Sequence, residues 1–211
     1  MTTLRTDPFP AVLQLLHAAA ERDDDHDIGP LPPDATAAER ADALAPIYMP
    51  VSDAGGALLY SLVRASRPQT VVEFGTSYGI STLYLAAAVR DNGEGRIVTT
   101  ELSATKVAAA RQNFADAGVA DLIEVLPGDA LETLTAVTGP VGLVLLDGWK
   151  DLYLPVLHLL EPHLAPGALV IADDTSFASV QPYLDHIRDP ANGYVSTAFP
   201  VEDGMEVSCR S

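Results

Sequence analysis

From residue 70 onward, short apolar segments recur at intervals, each separated from the next by a stretch of helical composition. No other feature constrains the fold as tightly. The apolar segments span 70–74, 96–101, 122–126, 141–146 and 168–172, and the helical stretches between them span 81–89, 104–117, 129–136 and 153–163. Strands that are apolar on both faces and joined through helices belong in a mainly parallel sheet covered on both sides. Two further strand-like segments, 194–199 and 205–210, flank the turn residues Glu202, Asp203 and Gly204 and predict an antiparallel closing pair. The expected class is α/β, a Rossmann-like, doubly wound, seven-stranded sheet with an antiparallel last strand.

The first part of the chain reads differently. Phe9, Val12, Leu13, Leu15, Leu16 and Ala19 recur at helical spacing over 8–21, and Pro30, Pro32 and Pro33 interrupt. A second helical stretch covers 34–45, Pro46 and Pro50 stop it, and a third helix is expected over 52–65. A length of 211 residues fits one domain, 1–211, in which 1–50 forms a helical cap that covers the acceptor or builds a homodimer surface. With 48% hydrophobic residues there is ample material for a core, and no apolar run approaches the roughly 20 residues that span a bilayer. The start lacks a basic-then-apolar leader pattern, so a cytoplasmic location without membrane contact is expected. Twenty-nine acidic against 12 basic residues give a net charge of -17, which repels nucleic acid and anionic lipid. The single Cys209 excludes an internal disulfide and is expected as a small buried side chain. His158 and His163, five apart, do not share a helix face, and His17, His26 and His186 have no partners evident in the sequence.

The chemistry concentrates where strands end. The first strand runs into Gly75-Thr76-Ser77-Tyr78-Gly79-Ile80-Ser81, a glycine turn that opens a helix and lets backbone approach a ligand closely. A dinucleotide fold wants G-x-G-x-x-G with a pyrophosphate on the helix N-terminus. Here the spacing is G-x-x-x-G, and Glu73 stands two residues before the first glycine. A carboxylate there repels a pyrophosphate and attracts the ammonium of a methionine moiety, so S-adenosylmethionine is favoured over a nicotinamide cofactor. Glu101 at the end of the second strand is placed to accept ribose hydroxyls. Gly128, Asp129 and Ala130 after the third offer an acceptor and an amide to an adenine edge.

The run Leu145-Leu146-Asp147-Gly148-Trp149-Lys150-Asp151-Leu152-Tyr153-Leu154-Pro155 resembles the animal catechol O-methyltransferases and their bacterial relatives, a metal-dependent branch of class I methyltransferases. The resemblance covers most of the chain from Met49 and includes Tyr48-Met49-Pro50-Val51-Ser52-Asp53-Ala54, the cofactor motifs, 183–188 and 203–206. It implies methyl transfer to a hydroxyl of a small phenolic or catechol-like acceptor. It also implies a cofactor site of Met49, Val51, Glu73, Gly75, Thr76, Ser77, Gly79, Ser81, Glu101, Leu102, Gly128, Asp129, Ala130, Asp147 and Trp149. Within it, Val51 and Ser81 would hold the cofactor carboxylate and Glu73 its amino group. In the family's strand order Asp147 lies beside Asp173 and Asp174, and hard oxygen ligands of this kind suit magnesium. Lys150 resembles the general base, with Asp147 sharing the catalytic site. Three departures stand out. The chain has Asp173-Asp174 where the family usually has Asp-Asn, and Gly148 where it has histidine, which is expected to loosen the adenine wall. No glutamate in 189–200 matches the one that holds a catechol's second hydroxyl in the animal enzymes. A metal-independent methyltransferase and a dinucleotide-binding oxidoreductase are the alternatives.

Overall fold

The computed structural model describes residues 2–32 and 34–211; of the residues read above, Pro33 lies outside them. All seven expected strands form one sheet: β1 (Thr70–Phe74), β2 (Arg96–Glu101), β3 (Ile123–Pro127), β4 (Val141–Leu146), β5 (Leu164–Ala172), β6 (Tyr194–Phe199) and β7 (Met205–Arg210). Their order is β3-β2-β1-β4-β5-β7-β6, with β7 antiparallel to both β5 and β6 and every other pair parallel. The order reverses at β1 and β4, and an open α/β sheet leaves its ligand crevice at the carboxyl ends on either side of such a reversal.

Among the described residues eight α-helices dress the sheet: α1 (Phe9–Ala20), α2 (Ala37–Ala43), α3 (Asp53–Ser66), α4 (Ile80–Asn92), α5 (Ala104–Asp116), α6 (Ala130–Thr133), α7 (Tyr153–Leu160) and α8 (Gln181–Arg188). One apolar layer joins Phe9 and Leu13 of α1, Leu59 and Val63 of α3, most of α4 and Phe114 of α5 to the sheet face carrying Val71, Ile97 and Leu143. The other joins Leu134, Tyr153, Leu157, Tyr183 and Ile187 to Val72, Val144 and Val170. Alternate residues of a strand face opposite sides, so β1 and β4 each serve both layers. Gly56 of α3 packs on the Tyr84 ring of α4, where a Cβ would stand 2.3 Å from Cε2.

Four expectations change. Helix α8 goes unanticipated, because its buried face is only Tyr183, Leu184 and Ile187 within eight residues. Strand β5 begins at Leu164, earlier than its composition suggests, because Pro166 and Gly167 are accommodated in its exposed first half. Cys209 is only partly buried: it lies between Leu169 and Val195 on the edge-strand side of the sheet, where Val195 is itself exposed. His186 has partners, since its Nε2 lies 3.1 Å from Glu161 Oε1 and its ring meets the His158 ring edge-on at 4.8 Å.

Candidate active site

The carboxyl ends of β1 to β5 open into a cavity of about 510 Å³. The glycine loop forms its floor. Gly75 N and Thr76 N both donate to Thr100 O, which pins the loop to β2, and Asp147 N donates to Phe74 O across from it. Gly75 has φ +105, and a Cβ there would come within 2.3 Å of Asp147 O, so both the turn and the close approach demand glycine. Ser77 N and Ser103 N each donate at 2.8 Å to one oxygen of Glu101, fixing that carboxylate on the wall with lone pairs to spare.

Of the residues expected at the cofactor site, Met49, Val51, Gly75, Thr76, Ser77, Ser81, Glu101, Leu102, Gly128, Asp129, Ala130, Asp147 and Trp149 line this one cavity, as do Lys150, Asp173 and Asp174. Glu73 and Gly79 do not. Glu73 lies behind the floor with no exposed surface, where Ser81 Oγ donates to one oxygen and Thr82 Oγ1 and Thr99 Oγ1 to the other. Burial raises its pKa to about 7 against those three stabilising hydroxyls. Gly79 is a packing residue, since a Cβ there would meet the Phe114 ring at 2.3 Å.

At the other end, pairing of Leu146 with Ala172 sets Asp147 beside Asp173 and Asp174. Burial raises the Asp147 pKa well above the carboxylate range, with Lys150 opposing and Asp173, Asp174 and Glu73 reinforcing. Asp173 is pushed up to about 6 by burial and then by Asp174. Lys150 Nζ stands 2.7 Å from Asp174 Oδ2, 3.5 Å from Asp147 Oδ1 and donates to Tyr153 Oη at 2.8 Å. The buried Tyr153 hydroxyl in turn donates to Asp173 O. Among the described residues the three aspartates do not bring one oxygen each within 4.8 Å of one another, whereas His158, Glu161 and His186 do bring their ligand atoms that close. In that second group His158 is exposed, while His186 and Glu161 are tied into a polar network. Asn192 Nδ2 donates to His186 O and faces Nδ1, so Nε2 carries the hydrogen toward Glu161, and Tyr194 Oη also donates to Glu161.

Several lining residues escape the sequence reading. A strap over 45–51 covers the glycine loop: the Tyr48 and Tyr78 rings stack at 3.9 Å, Tyr78 Oη donates to Ala45 O, and Ser77 Oγ donates to Tyr48 O. Asp23 accepts from both Tyr48 N and Met49 N. Ala37, Ala41 and Leu44, from α2 and the segment after it, line the cavity too. Glu202 and Asp203 reach the rim from the β6–β7 turn, Glu202 accepting from Ser52 N at 2.7 Å. Met49, Ser77, Asp174 and Glu202, four of the five non-glycine residues with positive φ among the described residues, all line the cavity. Strained backbone concentrated at one place marks a site held in shape by its surroundings. Lys106 also lines it, 3% exposed. Its signal was electrostatic: a lysine in the first turn of α5 opposes the helix dipole and calls for another reason to be there.

The wall beside Trp149 is not loosened by Gly148. A Cβ at that position would lie 2.5 Å from Phe74 Cζ, so the Phe74 ring occupies the space.

A family model described as a methyltransferase domain matches residues 72–175. Among curated proteins, the chain is 32% identical over 174 residues to catechol O-methyltransferase B of Danio rerio, covering 76% of this chain and 65% of that protein. It is 34% identical over 148 residues to a catechol O-methyltransferase of Mycobacterium tuberculosis, covering 70% of this chain and 66% of that protein. The chain thus spans slightly less than two thirds of the length of either relative. Among solved structures, cofactor-bound Rv0187 from MTB superposes with a TM-score of 0.74 at 25% identity, over 98% of this chain and 93% of that one.

Proposed function

Because this chain belongs to the catechol O-methyltransferase-like family of S-adenosylmethionine-dependent methyltransferases, we propose that it transfers the methyl group of S-adenosylmethionine to a hydroxyl of a small phenolic, catechol-like acceptor. One observation carries the reading: the cavity has a ribose-type carboxylate, Glu101, at one end and an amine set among three carboxylates, Lys150 with Asp147, Asp173 and Asp174, at the other. The first end suits a nucleoside cofactor. The second suits deprotonation of a hydroxyl next to the methyl donor.

In this mechanism Val51, Ser81 and the glycine loop hold the amino-acid end of the cofactor, and Glu73 acts on it through the Ser81 hydroxyl. Glu101 takes the ribose diol, and Asp129, Ala130 and Trp149 border the adenine. Tyr48 and Met49 exclude water from above. In its neutral amine form Lys150 takes the acceptor's proton at Nζ, becoming the ammonium that Asp174 and Asp147 then pair, and Tyr153 orients Nζ from the buried side.

The chemistry of the donors suits a divalent cation, although with Lys150 against Asp174 and Asp147 the three aspartates do not bring one oxygen each within 4.8 Å of one another. Three carboxylates are hard oxygen ligands, and Asp147 and Asp173, whose pKa values are raised first by burial, are raised further by neighbouring carboxylates. Asp147, Asp173 and Asp174 would hold magnesium, which supplies stabilisation of the acceptor oxyanion. The 2.7 Å pair between Lys150 and Asp174 favours a second reading, in which the ammonium itself is the counter-ion and the transfer needs no metal.

Calorimetry separates them. Magnesium titrated into protein saturated with S-adenosylhomocysteine should bind stoichiometrically and cease to bind in Asp147→Ala. Full activity in excess chelator selects the metal-free reading, and absence of cofactor binding defeats both.

A further inference from the structure

Among the described residues, Lys106 is the one cavity-lining cation that the proposed reaction leaves unused. It projects from the first turn of α5, is 3% exposed and lines the cavity at the Glu101 end. Its Nζ donates to Ser77 Oγ at 3.1 Å and lies 5.7 Å from the centre of the Tyr78 ring. Among the described residues no carboxylate comes within 4.0 Å of it. An ammonium has three donors, and this one spends a single hydrogen bond. A buried cation with unspent donors is costly unless something occupies them.

The neighbours define the missing acceptor. Ser77 joins Lys106 to Glu101, its N–H donating to the carboxylate and its hydroxyl accepting from the amine, and Glu101 and then Asp23 favour the charged amine through space. Glu101 has each oxygen committed to one backbone amide and accepts only, so a group held between it and Lys106 must donate to the carboxylate and accept from the amine. A hydroxyl does both. A phosphate only accepts, and Glu101 repels it.

Resting on the methyltransferase reading, we propose that Lys106 and Glu101 form a two-sided clamp on the ribose diol of the cofactor, in which a ribose hydroxyl donates to Glu101 and accepts from Lys106 Nζ. The clamp reaches the strap as well, because the Ser77 hydroxyl that accepts from Lys106 donates to Tyr48 O. Cofactor occupancy and seating of the strap are thereby joined through one side chain.

The test is calorimetric binding of S-adenosylhomocysteine and of its 2′-deoxy and 3′-deoxy ribose analogues to wild type, Lys106→Met and Lys106→Arg. A charge-assisted hydrogen bond corresponds to roughly tenfold or more in affinity. Lys106→Met should weaken S-adenosylhomocysteine by about that factor and leave one deoxy analogue nearly unchanged. Lys106→Arg, which keeps the charge and moves the donor, should retain part of the discrimination, and it carries the test if the methionine variant does not fold. Equal weakening of all three ligands, in whichever variant folds, reduces Lys106 to a structural support and overturns the clamp. Wild type that binds none of the three overturns the methyltransferase reading itself.

Discussion

Lys150 Nζ is 2.7 Å from Asp174 Oδ2 and 3.5 Å from Asp147 Oδ1, so a single ammonium joins the ends of two adjacent parallel strands. Both carboxylates are largely withdrawn from water, and the lysine is the only cation close enough to offset them among the causes of the Asp147 shift. Position 174 is where the resemblance implies an asparagine in the family and this chain has aspartate. The added negative charge is the one Lys150 contacts most closely.

Replacing Lys150 by Met should therefore lower turnover by at least about a hundredfold, the usual contribution of a positioned base. Affinity for S-adenosylhomocysteine should stay within about twofold, because Lys150 sits at the acceptor end. Steady-state kinetics with parallel calorimetry checks this, and equal loss of turnover and cofactor affinity would remove Lys150 from the role of base.

Glu73 makes stability depend on pH in a defined direction. Its folded pKa of about 7 lies above its ordinary value near 4.5, so between those values the folded state holds more protons than the unfolded state. Stability from this group is therefore greatest below pH 4.5 and falls as pH rises through 7. Glu73→Gln should melt like wild type at pH 5 and be more stable at pH 8, by up to about 3 kcal/mol at roughly 1.4 kcal/mol per pH unit. Thermal melts of the cofactor-free proteins at the two pH values would reveal it, and parallel melting curves at pH 8 would refute it.

Gly148 and Phe74 should behave as a coupled pair. Gly148→Ala drives a methyl into the Phe74 ring and should cost about 1–3 kcal/mol, as overpacking of a dense interior does. Adding Phe74→Leu should return part of that loss. Urea denaturation of the two single variants and the double variant measures the coupling, and strict additivity would show that the ring is not what excludes a side chain at 148.

Asp23→Ala should loosen the strap, because it removes the acceptor of both Tyr48 N and Met49 N. The expected loss of stability is about 1–2 kcal/mol, as for hydrogen bonds to a charged group in a partly exposed place. Limited proteolysis should cut within 45–51 faster than in wild type, with S-adenosylhomocysteine restoring protection. An unchanged cutting pattern would mean that the Tyr48–Tyr78 stack alone seats the strap.

Strand positions, sheet class and the glycine loop were legible because they depend on local rules: the period of apolar residues, the turn preference of glycine, and the placement of acids at strand ends. Helix α8 was not, since it is only eight residues long with a proline, Pro182, in its first turn, and the apolar face of Tyr183, Leu184 and Ile187, though helically spaced, is too short to stand out. Gly148 shows the limit most plainly. Its neighbour in space, Phe74, is on another strand, and only the pairing of β1 with β4 shows that the ring fills the place a side chain at 148 would take.

The sequence by itself determined that a doubly wound sheet would gather Gly75, Glu101, Asp129, Asp147 and Asp173 at its carboxyl edge, because alternation, strand length and turn chemistry are properties of neighbours along the chain. Tertiary structure decided the rest. It placed Glu73 behind the floor, set Lys150 between Asp147 and Asp174, brought Lys106 toward Glu101, and laid the 45–51 strap over the loop. Each of these depends on burial and on distances between residues far apart in sequence, and those are fixed only when the layers pack.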